Sequence, residues 1–215
     1  MIKITNKSDE KIEFKTDMPI SIANAIRRSV NSIPILAIDE LEISKNDSAL
    51  YDEIVAHRMG LVPLKDEGLK LPNECSCNGK GCGKCTVKLK LKAKGPCTVY
   101  STDLSPKGSI AHKMPIDLLD KDQELEFVAI AKMGLGKNHS KFSPGLFFYK
   151  YSEDIEDPEA KDGGFKKLIE DVKKDENKEL EVFIESWGQI KAKDIFIKAI
   201  DALTNNLKEF SKNIK

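Results

Sequence analysis

Apolar and polar residues alternate along several short segments of the chain, which is the pattern of β-strands that bury one face. The clearest segment is 87–94, where four apolar residues alternate with four lysines. Further segments that predict strands are 2–4, 11–15, 35–43, 123–131, 145–151 and 180–186. The chain is therefore expected to contain strands along its whole length.

Apolar residues at helical spacing predict helices between these strands. The first helix ends before Pro34. Its expected inward face consists of Ile22, Ala25, Ile26 and Val30. Shorter runs predict helices at 51–59 and 165–172. The acidic stretch 152–164, directly before the second of these helices, is expected to be a linker or an exposed loop.

The strongest helical pattern lies near the end of the chain, between Lys193 and Ile214. An unbroken helix over these residues would be about 30 Å long. One apolar stripe runs along it and consists of Ile195, Ala199, Leu203, Leu207 and Phe210. The stripe could pack on the chain's own sheet, but a helix of this length has apolar surface to spare that a partner helix could cover.

Four of the five cysteines lie in one loop, residues 72–85, with the spacing Cys75-x-Cys77-x4-Cys82-x2-Cys85. Four thiolates bind zinc tetrahedrally without redox chemistry, and they leave no open position for a catalytic water. The sequence therefore predicts one structural zinc ion in this loop. An iron–sulphur cluster also accepts four thiolates, and a loop without any metal is the third interpretation.

Other roles for the cysteines suit the sequence less well. A disulfide is disfavoured because the chain starts without a signal pattern, so we expect a cytoplasmic protein whose thiols stay reduced. A thioredoxin-like pair should open a helix, whereas the strand-like segment 87–91 follows Cys85. Cys97 stands alone on a strand-like segment and is expected to be a small buried thiol.

The net charge of the chain indicates whether nucleic acid is to be expected as a partner for it. Lys plus Arg and Asp plus Glu number 35 each, so the formal net charge is zero, whereas a free-standing nucleic-acid binder usually carries a clear positive excess. The segment 87–94 is nevertheless locally basic, because no acidic residue occurs between Cys75 and Thr102. Its lysines could protect a sheet edge from aggregation or contact nucleic acid. No run of about 18 apolar residues occurs, so no membrane span is expected.

Catalytic motifs are missing from the sequence. The three histidines are scattered, and none of the common phosphate-binding, serine-nucleophile or zinc-protease motifs occurs. His57 has Asp52 and Glu53 nearby, which leaves a metalloenzyme as one hypothesis. Surface and capping roles are the simpler interpretation of these three residues.

Four segments of the chain together resemble one family. These segments are 23–28 (ANAIRR), 37–43 (AIDELEI), 51–64 (YDEIVAHRMGLVPL) and 185–190 (ESWGQI). They resemble the D subunits of archaeal RNA polymerase, a family related to the bacterial polymerase α subunit and to the third-largest subunit of eukaryotic RNA polymerase II. The resemblance covers essentially the whole chain, and the cysteine loop is similar to the zinc loop of the eukaryotic relative.

The resemblance implies an α+β fold with two domains and a scaffolding function. A dimerisation domain would be built from both chain ends, residues 1–45 and 147–215, and a mainly β insert domain, residues 46–146, would carry the cysteine loop. The family is a non-catalytic scaffold for polymerase assembly, because the active site lies on other subunits. The dimerisation domain would pair with subunit L, join the small subunits N and P, and dock the second-largest catalytic subunit.

The resemblance also implies which residues bind partners. The apolar stripe of the last helix would be shared between the chain's own sheet and subunit L. The first helix would lie at the docking surface for the second-largest subunit, where at least one of Arg27 and Arg28 must point outward. Some family members carry a further cysteine-rich insertion with an iron–sulphur cluster, which this chain lacks because no cysteine follows Cys97. The competing hypothesis is a stand-alone zinc-loop protein that binds nucleic acid through segment 87–94.

Overall fold

The chain folds into two compact units. The computed structural model describes residues 2–65, 68–151 and 179–214. The terminal unit comprises residues 1–32, 145–186 and 191–215, and the central unit comprises residues 33–144 and 187–190. The contacts therefore place the first boundary after Ser32, whereas the predicted boundary after residue 45 would cut a strand of the central unit. The assignment of the terminal unit to dimerisation stays a prediction.

Strands dominate the described residues. The strands are β1 (Ile2–Lys7), β2 (Lys11–Thr16), β3 (Pro34–Asn46), β4 (Thr86–Lys94), β5 (Cys97–Tyr100), β6 (Pro115–Leu119), β7 (Glu124–Leu135), β8 (Gly145–Tyr151) and β9 (Leu180–Ser186). The helices are α1 (Ile20–Ser29), α2 (Asp52–Gly60) and α3 (Ala192–Asn213). This mixture confirms the predicted α+β class.

Each segment predicted to be a strand contains one. The structure also contains strand β6, which the sequence did not predict. Its residues do not alternate between buried and exposed positions. The predicted helix at 165–172 and the predicted loop at 152–164 lie outside the described residues. In the ranges that the structure covers, no helix is long and apolar enough to span a membrane.

The terminal unit is built on one antiparallel sheet with the strand order β1-β2-β9-β8. Every second residue of β2 and β9 points into the core, and among these residues Phe14 and Ile184 are almost fully buried. The ring of Phe196 on α3 meets the ring of Phe14 edge-on, with 5.2 Å between the centroids. Strand β8 begins with Gly145, because a Cβ there would lie 2.0 Å from the carbonyl oxygen of Glu185 on β9.

Helix α1 buries only part of the predicted face: Ile26 and Val30 are buried as predicted, and Ala25 is half-buried. Ala23, Ile26 and the following Val30 are buried, whereas Ile22, expected to face the core, is 47% exposed. The buried residues are spaced by three and then four positions, so they form one stripe along the helix. Ile22 lies on the flank of that stripe, beyond the surface that the unit covers.

The central unit contains the three-stranded antiparallel sheet β3-β7-β4 and the two-stranded sheet β5-β6. Strand β7 lies in the middle of the larger sheet, and its residues alternate between the core and the outer face. Phe127 on β7 is 1% exposed, and Val55 and Met59 on α2 are fully buried in the same core. The sheet and α2 therefore share one apolar interior.

Asp39 lies at a bulge in β3, where the register with β7 shifts between Ile38 and Glu40. Lys132 and Lys141 both form ion pairs with its carboxylate. Burial raises the pKa of Asp39, but the hydrogen bonds and charges of the two lysines outweigh burial and hold its pKa below the usual range. The bulge thus carries an ionised carboxylate at neutral pH that ties β3 to β7 and to the turn at Lys141.

Candidate metal centre and docking surfaces

The cysteine loop begins with a single helical turn, Pro72–Glu74, and ends at the start of β4, Thr86. Asn78, Gly79 and Gly81 have positive φ angles of 50°, 78° and 79°. Glycine adopts this backbone conformation without the steric cost that a Cβ brings, so it suits a chain that must reverse direction within a few residues. The loop can therefore fold its cysteines back toward one point.

The four sulphurs of the loop form one cluster. All four Sγ atoms lie within 4.8 Å of one another. The Sγ–Sγ distance is 3.5 Å between Cys75 and Cys82, 3.5 Å between Cys77 and Cys85, and 3.9 Å between Cys82 and Cys85. A tetrahedron with metal–sulphur bonds of about 2.3 Å has edges of about 3.8 Å. The four predicted ligands therefore fit a single four-coordinate ion.

The thiols perturb each other's ionisation. A hydrogen bond from Cys85 is the largest of several effects that lower the pKa of Cys77 to about 6. The backbone N–H of Cys82 favours the thiolate of Cys85, but burial and the hydrogen bonds to the other cysteines prevail and raise the pKa of Cys85 to about 11. A metal ion must therefore displace protons from the cluster, because only thiolates are ligands.

The arrangement limits the chemistry that the centre can perform. A multi-iron cluster places several iron and sulphide atoms between its thiolates, so it holds them further apart than a single ion does. Four protein ligands also leave no open coordination position for water or substrate. The centre is suited to organising the loop, and its geometry favours one ion.

Cys97 is separate from the metal cluster. It begins β5, is partly rather than fully buried, and packs against the core of the central unit. Its thiol donates a hydrogen bond to the carbonyl oxygen of Lys94 at 3.5 Å. Cys97 therefore packs against the core as predicted, but it is less deeply buried than we expected.

The apolar stripe of α3 changes from buried to exposed along the helix. Ile195 and Ala199 are fully buried, and Leu203 is half-buried. Leu207 and Phe210 are 60% and 64% exposed. The first half of the stripe is part of the terminal unit's own core, and the second half extends beyond it.

The same unit exposes a second apolar surface that the sequence did not reveal. Ile2 and Ile4 on β1 are 52% and 56% exposed. In the register of the sheet they lie opposite Thr16 and Phe14, which are buried on the helix-covered face. The helices do not cover the β1 end of that face. Alternation identified the apolar residues, but it could not indicate how far across the sheet the helices reach.

Arg27 and Arg28 are both exposed at the end of α1, but their side chains differ. Arg27 is held by its own helix, because its Nε and Nη2 donate hydrogen bonds to Asn24 Oδ1 at 3.1 and 2.9 Å. Arg28 has no hydrogen-bond or ion-pair partner in the part of the chain that the structure describes. Its guanidinium is available for a bidentate bond to a carboxylate of another chain.

His57 is exposed on α2 and lines a cavity of about 150 Å³ together with Asp39, His139 and Lys141. The Nδ1 atom of His139 accepts a hydrogen bond from the N–H of Lys141, and Asp39 is paired with lysines. Among the residues described, the four cysteines are the only group of metal-ligand type close enough to share an ion. The metalloenzyme hypothesis gains no support from this arrangement.

Comparison with known families identifies more than half of the chain. Residues 21–145 match the family described as the RNA polymerase Rpb3/RpoA insert domain. The match includes all of α1 except Ile20, the whole sheet β3-β7-β4 and the cysteine loop.

Individual proteins are similar over still longer spans. The DNA-directed RNA polymerase subunit Rpo3 of Pyrococcus horikoshii is 38% identical over 179 residues, 80% of this chain and 67% of that protein. The Rpo3 subunit of Methanocaldococcus jannaschii is 34% identical over 209 residues, 96% of this chain and 91% of that protein. The DNA-directed RNA polymerase II subunit rpb3 of Dictyostelium discoideum is 36% identical over 159 residues, 64% of this chain and 52% of that protein.

The metal centre yields a direct prediction. The purified protein should contain one metal ion per chain, and Cys82→Ser should weaken metal binding by more than about tenfold, since even an outer-shell partner is worth that much. Cys97→Ser is the matched control and should keep its metal. Loading should fall as the pH drops from about 8 to about 5, because protons compete for the thiolates. Elemental analysis and thiol titration measure both effects. A metal-free protein with five freely reacting thiols would contradict the prediction.

Proposed function

We infer that the chain is a non-catalytic assembly subunit of DNA-directed RNA polymerase, because it belongs to the Rpo3/Rpb3 family of that enzyme's subunits. The observation that carries this inference is the family match over residues 21–145, supported by similarity to Rpo3 along nearly the whole chain. A metal centre without an open position and two exposed apolar surfaces suit a scaffold. The competing hypothesis of a stand-alone nucleic-acid-binding protein gains no support from these names.

We propose that the ion in the cysteine loop is zinc and that its role is structural. Zinc has no redox chemistry and no geometric preference of its own, so it suits a closed tetrahedron of four thiolates. The observed sulphur spacing of 3.5 to 3.9 Å agrees with that geometry. The proposed location is the cytoplasm, where thiols stay reduced and available to a metal. An iron–sulphur cluster would give a brown protein, whereas zinc would leave it colourless.

We propose that the terminal unit pairs with the small subunit L. The exposed half of the α3 stripe and the β1 end of the sheet both belong to this unit, and both present isoleucine, leucine or phenylalanine to solvent. Contiguous exposed apolar surface is a liability in a monomer and is typical of a protein interface. The pairing with L would cover it, and the small subunits N and P would then join the dimer.

We propose that α1 docks the second-largest catalytic subunit through Arg28. The family resemblance suggests this surface, and the unpartnered guanidinium supports it. Direct binding to DNA by the isolated chain is not part of the proposal, because the net charge is zero.

Purification from the native organism tests the function as a whole. We expect the masses of co-purifying chains to include the catalytic subunits of RNA polymerase and a small subunit of the L type. The isolated chain should bind DNA only weakly in a salt titration, because few phosphate contacts mean little counterion release. A chain that elutes alone and binds DNA with a steep salt dependence would contradict the proposal.

The exposed half of α3 provides a test of pairing with L. Changing both Leu207 and Phe210 to aspartate should leave the terminal unit folded, because both side chains are already mostly exposed. The same change should abolish the heterodimer, since burying an unpaired charge at the contact costs several kcal/mol. The double change of Asn205 and Asn206 to aspartate adds the same charge to the same turns and should leave pairing nearly intact. Co-expression and size-exclusion chromatography measure the heterodimer, and undiminished pairing of the first variant would rule out this surface.

The two arginines of α1 are expected to differ. Arg28→Ala should weaken recruitment of the second-largest subunit by about tenfold or more, because it removes charge-assisted hydrogen bonds to a partner. Arg27→Ala should have the smaller effect, because Arg27 is already bonded to Asn24 within its own helix. Stepwise reconstitution, scoring the heterodimer and the larger assembly separately, distinguishes the two steps. Equal recruitment of both variants and the wild type would leave the arginines with only a helix-terminal role.

A further inference from the structure

The outer face of the central sheet carries three rows of residues with different chemistry. Strand pairing places an acidic row on β3, an apolar row on β7 and a basic row on β4. Two adjacent lines across the sheet define this surface, which we call the striped face. They are Glu40–Ile130–Lys88 and Glu42–Val128–Lys90.

The four charges of the striped face have no partners within the chain. Glu40, Glu42, Lys88 and Lys90 are all exposed, and none forms an ion pair or a side-chain hydrogen bond in the portions that the structure covers. The acidic and basic rows are separated by β7, which sets their backbones about 10 Å apart. Each row therefore meets solvent.

The other end of the same sheet face shows what the chain does when it neutralises such charges itself. Lys92 pairs with Glu126 at 2.8 Å. Glu124 pairs with Lys94 at 3.1 Å and with Lys45 at 2.9 Å. In these lines the central strand supplies a glutamate between two lysine-bearing strands. In the striped face it supplies Val128 or Ile130 instead, and both are half-buried.

Two simpler explanations account for only part of this surface. Lysines on an edge strand protect a sheet from aggregation, which explains the basic row on β4 but not the acidic row or the apolar centre. Nucleic acid would be attracted by Lys88 and Lys90, but it would be repelled by Glu40 and Glu42, which lie about 10 Å from the lysines, roughly one Debye length at 0.1 M salt. The arrangement has no net charge and a defined polarity.

We propose that the striped face is a docking surface for another protein chain of the polymerase. The fitting element has an apolar centre that lies on Val128 and Ile130. It carries basic side chains on the side that faces Glu40 and Glu42, and acidic side chains on the side that faces Lys88 and Lys90. The opposite orientation would bring like charges together, so the two charged rows select the orientation of the partner. This proposal rests on the proposed function and adds a surface in the central unit to it.

Chemical footprinting tests the proposal on the protein as it exists. Amine acylation reports the reactivity of Lys88 and Lys90, and carbodiimide coupling reports that of Glu40 and Glu42, with each site read by mass spectrometry. We expect both rows to lose more than about fivefold of their labelling when the free chain is compared with purified polymerase in the absence of DNA. Protection of the lysines alone, and only after DNA is added, would indicate nucleic acid and overturn the proposal. Absence of protection at both rows would also overturn it.

A variant with reversed polarity provides the second arm. It combines Glu40→Lys and Glu42→Lys with Lys88→Glu and Lys90→Glu, so the net charge and the exposed positions stay the same. We expect a normal melting temperature and normal pairing with L, but more than about tenfold weaker entry into the complete polymerase, because like charges now face each other. The control, Lys107→Glu with Lys121→Glu, changes two exposed lysines elsewhere and should assemble normally.

These experiments distinguish a failure of the docking surface from a failure of the proposed function. Normal assembly of the reversed variant would overturn the docking surface and leave the proposed function intact. A wild-type chain that never enters polymerase would overturn the proposed function, and the docking surface with it.

Discussion

The pairing of β2 with β9 is the interaction on which the two-unit organisation depends. It joins residues 11–16 to residues 180–185 in one antiparallel ladder, and it brings both ends of the chain into the terminal unit. The entropy lost on closing a loop grows only with the logarithm of its length, so a ladder can close around a large insertion at modest extra cost. The central unit is such an insertion. It has an apolar core of its own.

Within the central unit, the cysteine loop is organised by different forces from the sheet beside it. The sheet is held by apolar burial around Phe127, whereas the segment between Pro72 and Cys85 has almost no apolar side chains of its own. Converging thiols stand in place of an apolar core there, so a metal that bound them would add its binding free energy to the stability of the fold. Cys85 lies directly before β4 and connects the loop to the sheet.

The unsatisfied surfaces of the chain lie on both units. The terminal unit leaves half of the α3 stripe and the β1 end of its sheet open to solvent. The central unit leaves acidic and basic rows unpaired on either side of β7. A monomeric protein normally covers or neutralises such features. Exposed surfaces of this kind suit a scaffold, because each can contact a different neighbour in a larger assembly.

Sequence alone determined the features that depend on local order. Alternation predicted seven of the nine described strands outright, cysteine spacing predicted the four residues whose sulphurs meet, and helical periodicity predicted the stripe on α3. Four quoted segments were enough to identify the family. Each of these signals is carried by residues close together in the chain, so no knowledge of the packing was needed to detect it.

The tertiary structure decided everything that depends on which segments become neighbours. The inward face of α1 excludes Ile22, and the α3 stripe is buried only as far as Ala199, because burial is set by how far the sheet extends beneath each helix. The unit boundary lies after Ser32 because all of β3 pairs with β7, almost 90 residues later in the chain. The striped face exists only because β3, β7 and β4 lie side by side. Local patterns show that a residue can be buried, whereas the packing of distant segments decides whether it is.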